Sequence, residues 1–133
     1  MIQIRPVLRA FALPAAIFGA GLAAQAQIAP PLSANSHAYE ASPDVYQLIG
    51  EDDHFRVILA RWKPGQSDAW HTHHGDLVNY ALTDCKLEGQ IPGGQSGAFE
   101  RKQGEAGFNP KGSIHKVRNA GDGDCVLLIV ERK

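Results

Sequence analysis

Residues 104–119 read GEAGFNPKGSIHKVRN: two short runs, AGFNP and HKVRN, on either side of the turn formers NPKGS. The same texture extends outward through the chain. From Asp44 the runs are YQLIG, FRVILARW, LVNYALT, KLEGQI, AFERKQ, AGFNP, HKVRN and CVLLIVERK, divided by EDD, KPGQSD, PGGQSG, NPKGS and NAGDGD. Runs of about five residues with regular turn signals between them, and no segment of convincing helical periodicity, predict an all-β sandwich or barrel over residues 44–133.

Upstream of that stretch lies WHTHHGDLVNY, residues 70–80, which holds three of the chain's six histidines. In an extended strand successive side chains alternate faces, so His71 and His73 point one way and Trp70 and Thr72 the other. Two imidazoles side by side make half of a metal site. His115, forty-two residues after His73, supplies a third donor of the same kind.

These stretches resemble the two motifs of the cupin superfamily. The first motif, G-x5-H-x-H-x3,4-E-x6-G, is met by Gly65, His71 and His73. The second, G-x5-P-x-G-x2-H-x3-N, is met at every fixed position by Gly104, Pro110, Gly112, His115 and Asn119. The resemblance covers roughly residues 44–133 and implies a small cupin-type jelly-roll β-barrel, with His71, His73 and His115 holding one divalent metal ion inside. Imidazoles suit Zn, Cu, Fe or Ni, and the pattern does not separate these, or Mn, from one another.

The chain departs from the family pattern where the glutamate ligand belongs: Leu77 or Val78 stands there, and Asp84 replaces the final glycine. Three arrangements follow. The histidines form a three-ligand centre with open positions, as expected of a catalytic metal; or Asp76 or His74, from the loop HHGD, swings in as an additional ligand; or the site is metal-free and binds a ligand directly. If Leu77 takes the inward position of the glutamate, Asn79 shares its parity and becomes a pocket candidate, while Val78, Tyr80 and Leu82 form an outer apolar stripe that points to a homodimer. His37 and His54 match no motif position and are expected at the surface.

ALTDCKLEG and IVERK are further similar to segments of small stand-alone cupins associated by name with β-alanine degradation. The jelly-roll order that the resemblance implies puts the turns of Cys85 and Cys125 at one end of the barrel, between strands neighbouring in one sheet, so the two cysteines are expected to form a disulfide.

The N-terminus is read separately. MIQIRPVLR carries Arg5 and Arg9 and no acid, and an apolar run follows that ends in Ala24-Gln25-Ala26. That layout predicts a signal peptide over residues 1–26, a Pro/Ser/Ala-rich linker or strap over 27–43, and a periplasmic or secreted protein with no permanent membrane anchor. Cleavage takes Arg5 and Arg9 from the 13 basic residues, leaving 11 against 14 acidic ones. That balance gives no footprint for nucleic acid.

The functional expectation is a metal-dependent cupin enzyme acting on a small, anionic or oxygen-rich metabolite, by oxygenase, isomerase or lyase type chemistry. The alternatives are a ligand-binding or sensing cupin without turnover and a barrel that only binds partners. No obvious general acid or base accompanies the histidines in sequence, so no catalytic residue is assigned.

Overall fold

The computed structural model describes residues 32–133; the expected signal peptide lies outside the described residues. Nine strands make up the domain: β1 (Tyr46–Glu51), β2 (Phe55–Trp62), β3 (His71–Thr72), β4 (Leu77–Ala81), β5 (Cys85–Gln90), β6 (Ser96–Arg101), β7 (Ala106–Asn109), β8 (Ile114–Asn119) and β9 (Cys125–Arg132). Eight of them are the runs expected from the sequence, and the ninth, β3, carries the first histidine. They form two antiparallel sheets, a five-stranded one in the order β1-β2-β9-β4-β7 and a four-stranded one in the order β3-β8-β5-β6.

The five-stranded sheet is built on β9, which pairs along its whole length with β2. Residues opposite one another in an antiparallel ladder share a face, so the register stacks rungs of core: Trp62 beside Cys125, Ala60 beside Leu127, Ile58 beside Ile129. On the other flank of β9, Ala81 and Asn79 of β4 continue the rungs of Leu127 and Ile129. Ile58 and, from the opposite sheet, Leu87 are fully buried at this core, each contributing about 1.5–3 kcal/mol over the exposed state. The last rung differs in kind, because Glu131 sits between Arg56 and Leu77 and is itself 1% exposed.

Cys85, the first residue of β5, is disulfide-bonded to Cys125, the first residue of β9. The pairing differs from the expectation in one respect, since β5 and β9 belong to opposite sheets rather than being neighbours in one. The bond is therefore a staple across the sandwich. Closing a 40-residue interval stabilises the fold by up to about 4 kcal/mol through the entropy it removes from the unfolded chain.

Residues 32–41 form a 3-10 turn, Leu32–Asn35, and a single helical turn, Ala38–Ala41. This segment runs beside β3: the Thr72 amide donates to the Ser36 carbonyl at 3.0 Å, and the Thr72 hydroxyl donates to the Ala34 carbonyl. Ala38 enters the core. A two-residue strand is thus held from both sides, by β8 and by the N-terminal segment.

Candidate metal centre

In the ladder between β3 and β8, His71 lies directly opposite His115. His73, just past β3, keeps close to β8 through its amide, 3.3 Å from the Ser113 carbonyl, while its own carbonyl accepts from the Gly112 amide at 2.7 Å. Gly112 has φ of 84°, a backbone state that L side chains rarely adopt, which accounts for glycine at this motif position. The three rings form a triangle with centroids 4.5 Å apart for His71 and His115 and 5.1 Å apart for the other two pairs. One nitrogen from each lies within 4.8 Å of the others, so the group could hold a metal ion.

Hydrogen bonding fixes which nitrogens face the center of that triangle. His71 Nδ1 is 2.9 Å from the Ala69 carbonyl, which can only accept, so the proton is on Nδ1 and the Nε2 lone pair is free. That Nε2 is buried and has no hydrogen-bond partner among the described residues. His73 Nδ1 donates to Glu131 Oε2 at 3.2 Å, which leaves its Nε2 bare as well. An orphaned, buried imidazole lone pair is costly unless something accepts it, and a soft-to-borderline cation does. The donor set therefore fits a divalent ion.

Electrostatics keep the rings of His71 and His115 neutral. Burial lowers His115 to about 3, with His71 and His73 adding to the shift, and lowers His71 to about 4, against the opposing hydrogen bond to Ala69. Both are lone-pair donors at neutral pH. Burial pushes Glu131 up, but His73, His37 and Arg56 more than offset it, so its carboxyl is held below the usual range and stays ionised. It accepts from Arg56 Nη1 at 3.1 Å as well as from His73. A carboxylate behind a ligating histidine orients the ring and raises its basicity.

A second carboxylate backs His71. Asp68 Oδ2 accepts from the Tyr46 hydroxyl at 2.6 Å, Oδ1 accepts from the Val117 amide at 2.5 Å, and Oδ2 lies 3.9 Å from His71 Nδ1. Burial raises Asp68 to about 6 against those hydrogen bonds. Tyr46 meets the His71 ring edge-on at 5.2 Å and so limits how far it can turn.

The two residues offered as replacement ligands are elsewhere. Asp76 is exposed, and its Oδ1 accepts from the Lys111 amide at 3.0 Å. His74 is exposed, donates from Nε2 to the Asn35 carbonyl at 2.9 Å, and tilts against His37 at 4.2 Å. The reason is local: alternation turns His74 away from His73. At Gly75 the backbone then runs so close to the Arg132 carbonyl that no Cβ would fit, and that turn carries Asp76 outward. Leu77 is buried on the cavity wall in the place expected for the family glutamate, so a carboxylate ligand is absent among the described residues.

Asn79 does face the cavity, buried, with its Nδ2 donating to Asn109 Oδ1 at 2.9 Å. The cavity, about 170 Å³, is lined by His73 and His115 at its inner end and by Arg101, Phe99 and Phe108 toward the outside. His54 is exposed, as expected, but His37 is half-buried, with Nδ1 3.9 Å from Glu131. Glu131, Asp68, Tyr46 and Arg101 were not singled out from sequence. Strand parity was the available signal for two of them: Glu131 follows Cys125, Leu127 and Ile129 on the inward face of β9, and Arg101 follows Phe99 on β6.

Comparison with known proteins agrees with this architecture. The cupin domain model matches residues 58–131, more than half of the chain. A cupin domain from Bordetella pertussis superposes with a TM-score of 0.63 at 25% identity, over 74% of this chain and 96% of that one. A double-stranded beta-helix domain protein from Klebsiella pneumoniae (TM-score 0.55, 21% identity, 66% of this chain and 75% of that one) shares the fold. So does the Cnp3 cupin domain of Schizosaccharomyces pombe (0.53, 14%, 66% and 59%). No curated protein matches the chain.

Proposed function

The chain belongs to the cupin family, and on that premise we propose that it binds one divalent metal ion through His71, His73 and His115 and acts on a small anionic or oxygen-rich metabolite. The observation that carries the reading is the buried, unpartnered Nε2 of His71, whose other nitrogen is already committed to Ala69. When bound, the ion supplies a Lewis acid for an oxygen-bearing substrate. Three neutral histidines leave its double charge uncompensated, which favours an anion.

The chain's own residues have definable tasks in this reading. Glu131 holds the His73 ring and keeps its proton on Nδ1; Ala69 does the same for His71. Leu77, Leu127 and Ile129 make the inner wall apolar, which excludes water and strengthens charge interactions at the ion. Asn79 offers an amide to a ligand at the cavity wall.

A second reading, a binding or sensing cupin without turnover, is favoured by one observation: among the described residues no carboxylate lines the cavity to serve as general base. The likeness to cupins named for β-alanine degradation does not choose between the two, since one fold carries many reactions. We place the protein in the periplasm or outside the cell. The Cys85–Cys125 disulfide is compatible with an oxidising compartment, and no helix of the described residues is long and apolar enough to cross a membrane.

The test is elemental analysis of tag-free protein beside its His73→Ala variant. About one equivalent of a divalent metal, lost in the variant, is expected for a site of this kind; a metal content unchanged by the substitution would contradict it. Incubation of the loaded protein with candidate metabolites then separates the two readings by whether product accumulates.

A further inference from the structure

Among the described residues, Arg101 is the only lysine or arginine lining the cavity, and no aspartate or glutamate lines it. Its guanidinium reaches across from β6 to β7, where Nη1 donates to the Ala106 carbonyl at 3.1 Å. Nε is buried and has no hydrogen-bond partner among the described residues. Three basic residues near it are paired with acids, Lys86 with Glu100, Lys102 with Asp84 and Arg118 with Glu88, each within 3.4 Å, and Lys116 stands over the Trp70 ring. Arg101 makes no such pair among the described residues.

The fold makes room for this arrangement. An alanine Cβ at Gly107 would collide with the Arg101 guanidinium and crowd Asn79 Oδ1, so the absence of a side chain at Gly107 is what lets the cation lie over β7. A cation with unused, partly buried donors is expensive unless an anion completes its hydrogen bonds. Its planar fork matches a carboxylate. Beside it stand two aromatic rings, Phe99 at 41% and Phe108 at 82% exposure, both lining the same cavity. Apolar rings left this open at the edge of a polar, cationic site favour a ligand with an apolar body.

We propose that Arg101 is the anion-recognition residue of this cavity, and that the ligand is a small organic carboxylate whose charged group pairs with Arg101 while its apolar body lies against Phe99 and Phe108. Gly107 is a positioning residue for it. The inference deepens the metal-centre reading by naming the ligand class, but the Arg101 contact is measurable with or without an ion.

The experiment is calorimetric titration of benzoate, with benzamide as its neutral counterpart, into metal-free and zinc-loaded protein and into the variants Arg101→Gln, Arg101→Lys and Lys102→Gln. Benzoate is expected to bind wild-type protein more tightly than benzamide and to lose about 10- to 100-fold in Arg101→Gln, the cost of one charge-assisted pair. Arg101→Lys should recover part of that loss, and Lys102→Gln, which changes a neighbouring exposed charge, should lose nothing. Zinc affinity should be the same in Arg101→Gln and wild type. Equal binding of benzoate and benzamide, or an Arg101→Gln variant that binds benzoate as well as wild type, would overturn the proposal. Failure of zinc to bind would instead overturn the metal centre and leave the Arg101 comparison intact in the metal-free protein. Thermal unfolding of each variant identifies one that has lost its fold, and Arg101→Lys then decides the matter.

Discussion

The two sheets of this molecule differ in what their strands are made of. In the five-stranded sheet, β9 is flanked by β2 and β4, and the inward residues of these three strands are buried and, Asn79 apart, apolar until the last rung. In the four-stranded sheet, β3 is two residues long and β6 is exposed from Ser96 through Glu100. One sheet is a wall that carries most of the core; the other adds Leu87 and Val117 to that core and sets around them a rim of histidines, an arginine and the open Phe99. Most of the stabilising burial thus lies in one sheet and most of the polar site groups in the other. They meet at the rung where Glu131 of the wall holds His73 of the rim, and again where Tyr46 of the wall packs edge-on against His71.

That contrast is sharpened first by truncation. Ile58→Ala, in the wall, should cost about 2–5 kcal/mol by urea unfolding, whereas Phe99→Ala, on the exposed rim strand β6, should cost about 1 kcal/mol. Similar costs at both would erase the distinction. Replacing Cys85 and Cys125 together by alanine should cost up to about 4 kcal/mol and lower the urea midpoint, since the staple joins wall and rim across 40 residues.

Acid should act on the rim. His71 and His115 are held at about 4 and about 3 in the folded state, below the free value of 6.5. Below about pH 6.5 the unfolded chain therefore takes up protons that the folded one refuses, and stability of the metal-free protein falls as pH drops toward those values. Asp68, raised to about 6, opposes this, because the folded state takes its proton first. Two histidines against one carboxyl leave a net loss on the order of 3 to 4 kcal/mol between about pH 7 and pH 4. Chemical denaturation at a series of pH values measures it, and a flat profile would contradict the burial assigned to the two rings. The smallest effect belongs to the shared rung: Glu131→Gln should weaken zinc binding by about 10- to 100-fold while leaving one equivalent bound at saturation.

Most of the wall was legible in the sequence because alternation and turn residues are local signals. FRVILARW and CVLLIVERK read directly as strands, and Gly104, Pro110, Gly112 and His115 carry the turn and the histidine that define the second motif. The histidine triangle followed from that motif rather than from any local pattern. What was not legible depends on how strands are brought face to face. Cys85 and Cys125 were expected on neighbouring strands of one sheet, yet they stand opposite one another across the core, a relation that no spacing along the chain encodes. Asp76 and His74 are near His73 in sequence and were candidates for that reason, but Gly75 packed on Arg132 turns the loop outward. His37, expected at the surface, is drawn in by the hydrogen bonds of its neighbours Ala34, Asn35 and Ser36 to Thr72 and His74. Glu131 and Arg101 were readable by parity alone, as charged residues on inward faces.

In the proposed centre His71, His73 and His115 present bare nitrogens to one ion, with Nδ1 of His71 and of His73 committed to Ala69 and Glu131. Long-range proton–nitrogen NMR spectra of the histidines, recorded during a zinc titration of metal-free protein, test it most directly. His71 and His73 should keep their proton on Nδ1 and shift at Nε2 as one equivalent of zinc binds, and the His115 ring should shift with them. Rings that remain unchanged by zinc, or a His71 that carries its proton on Nε2, would contradict it.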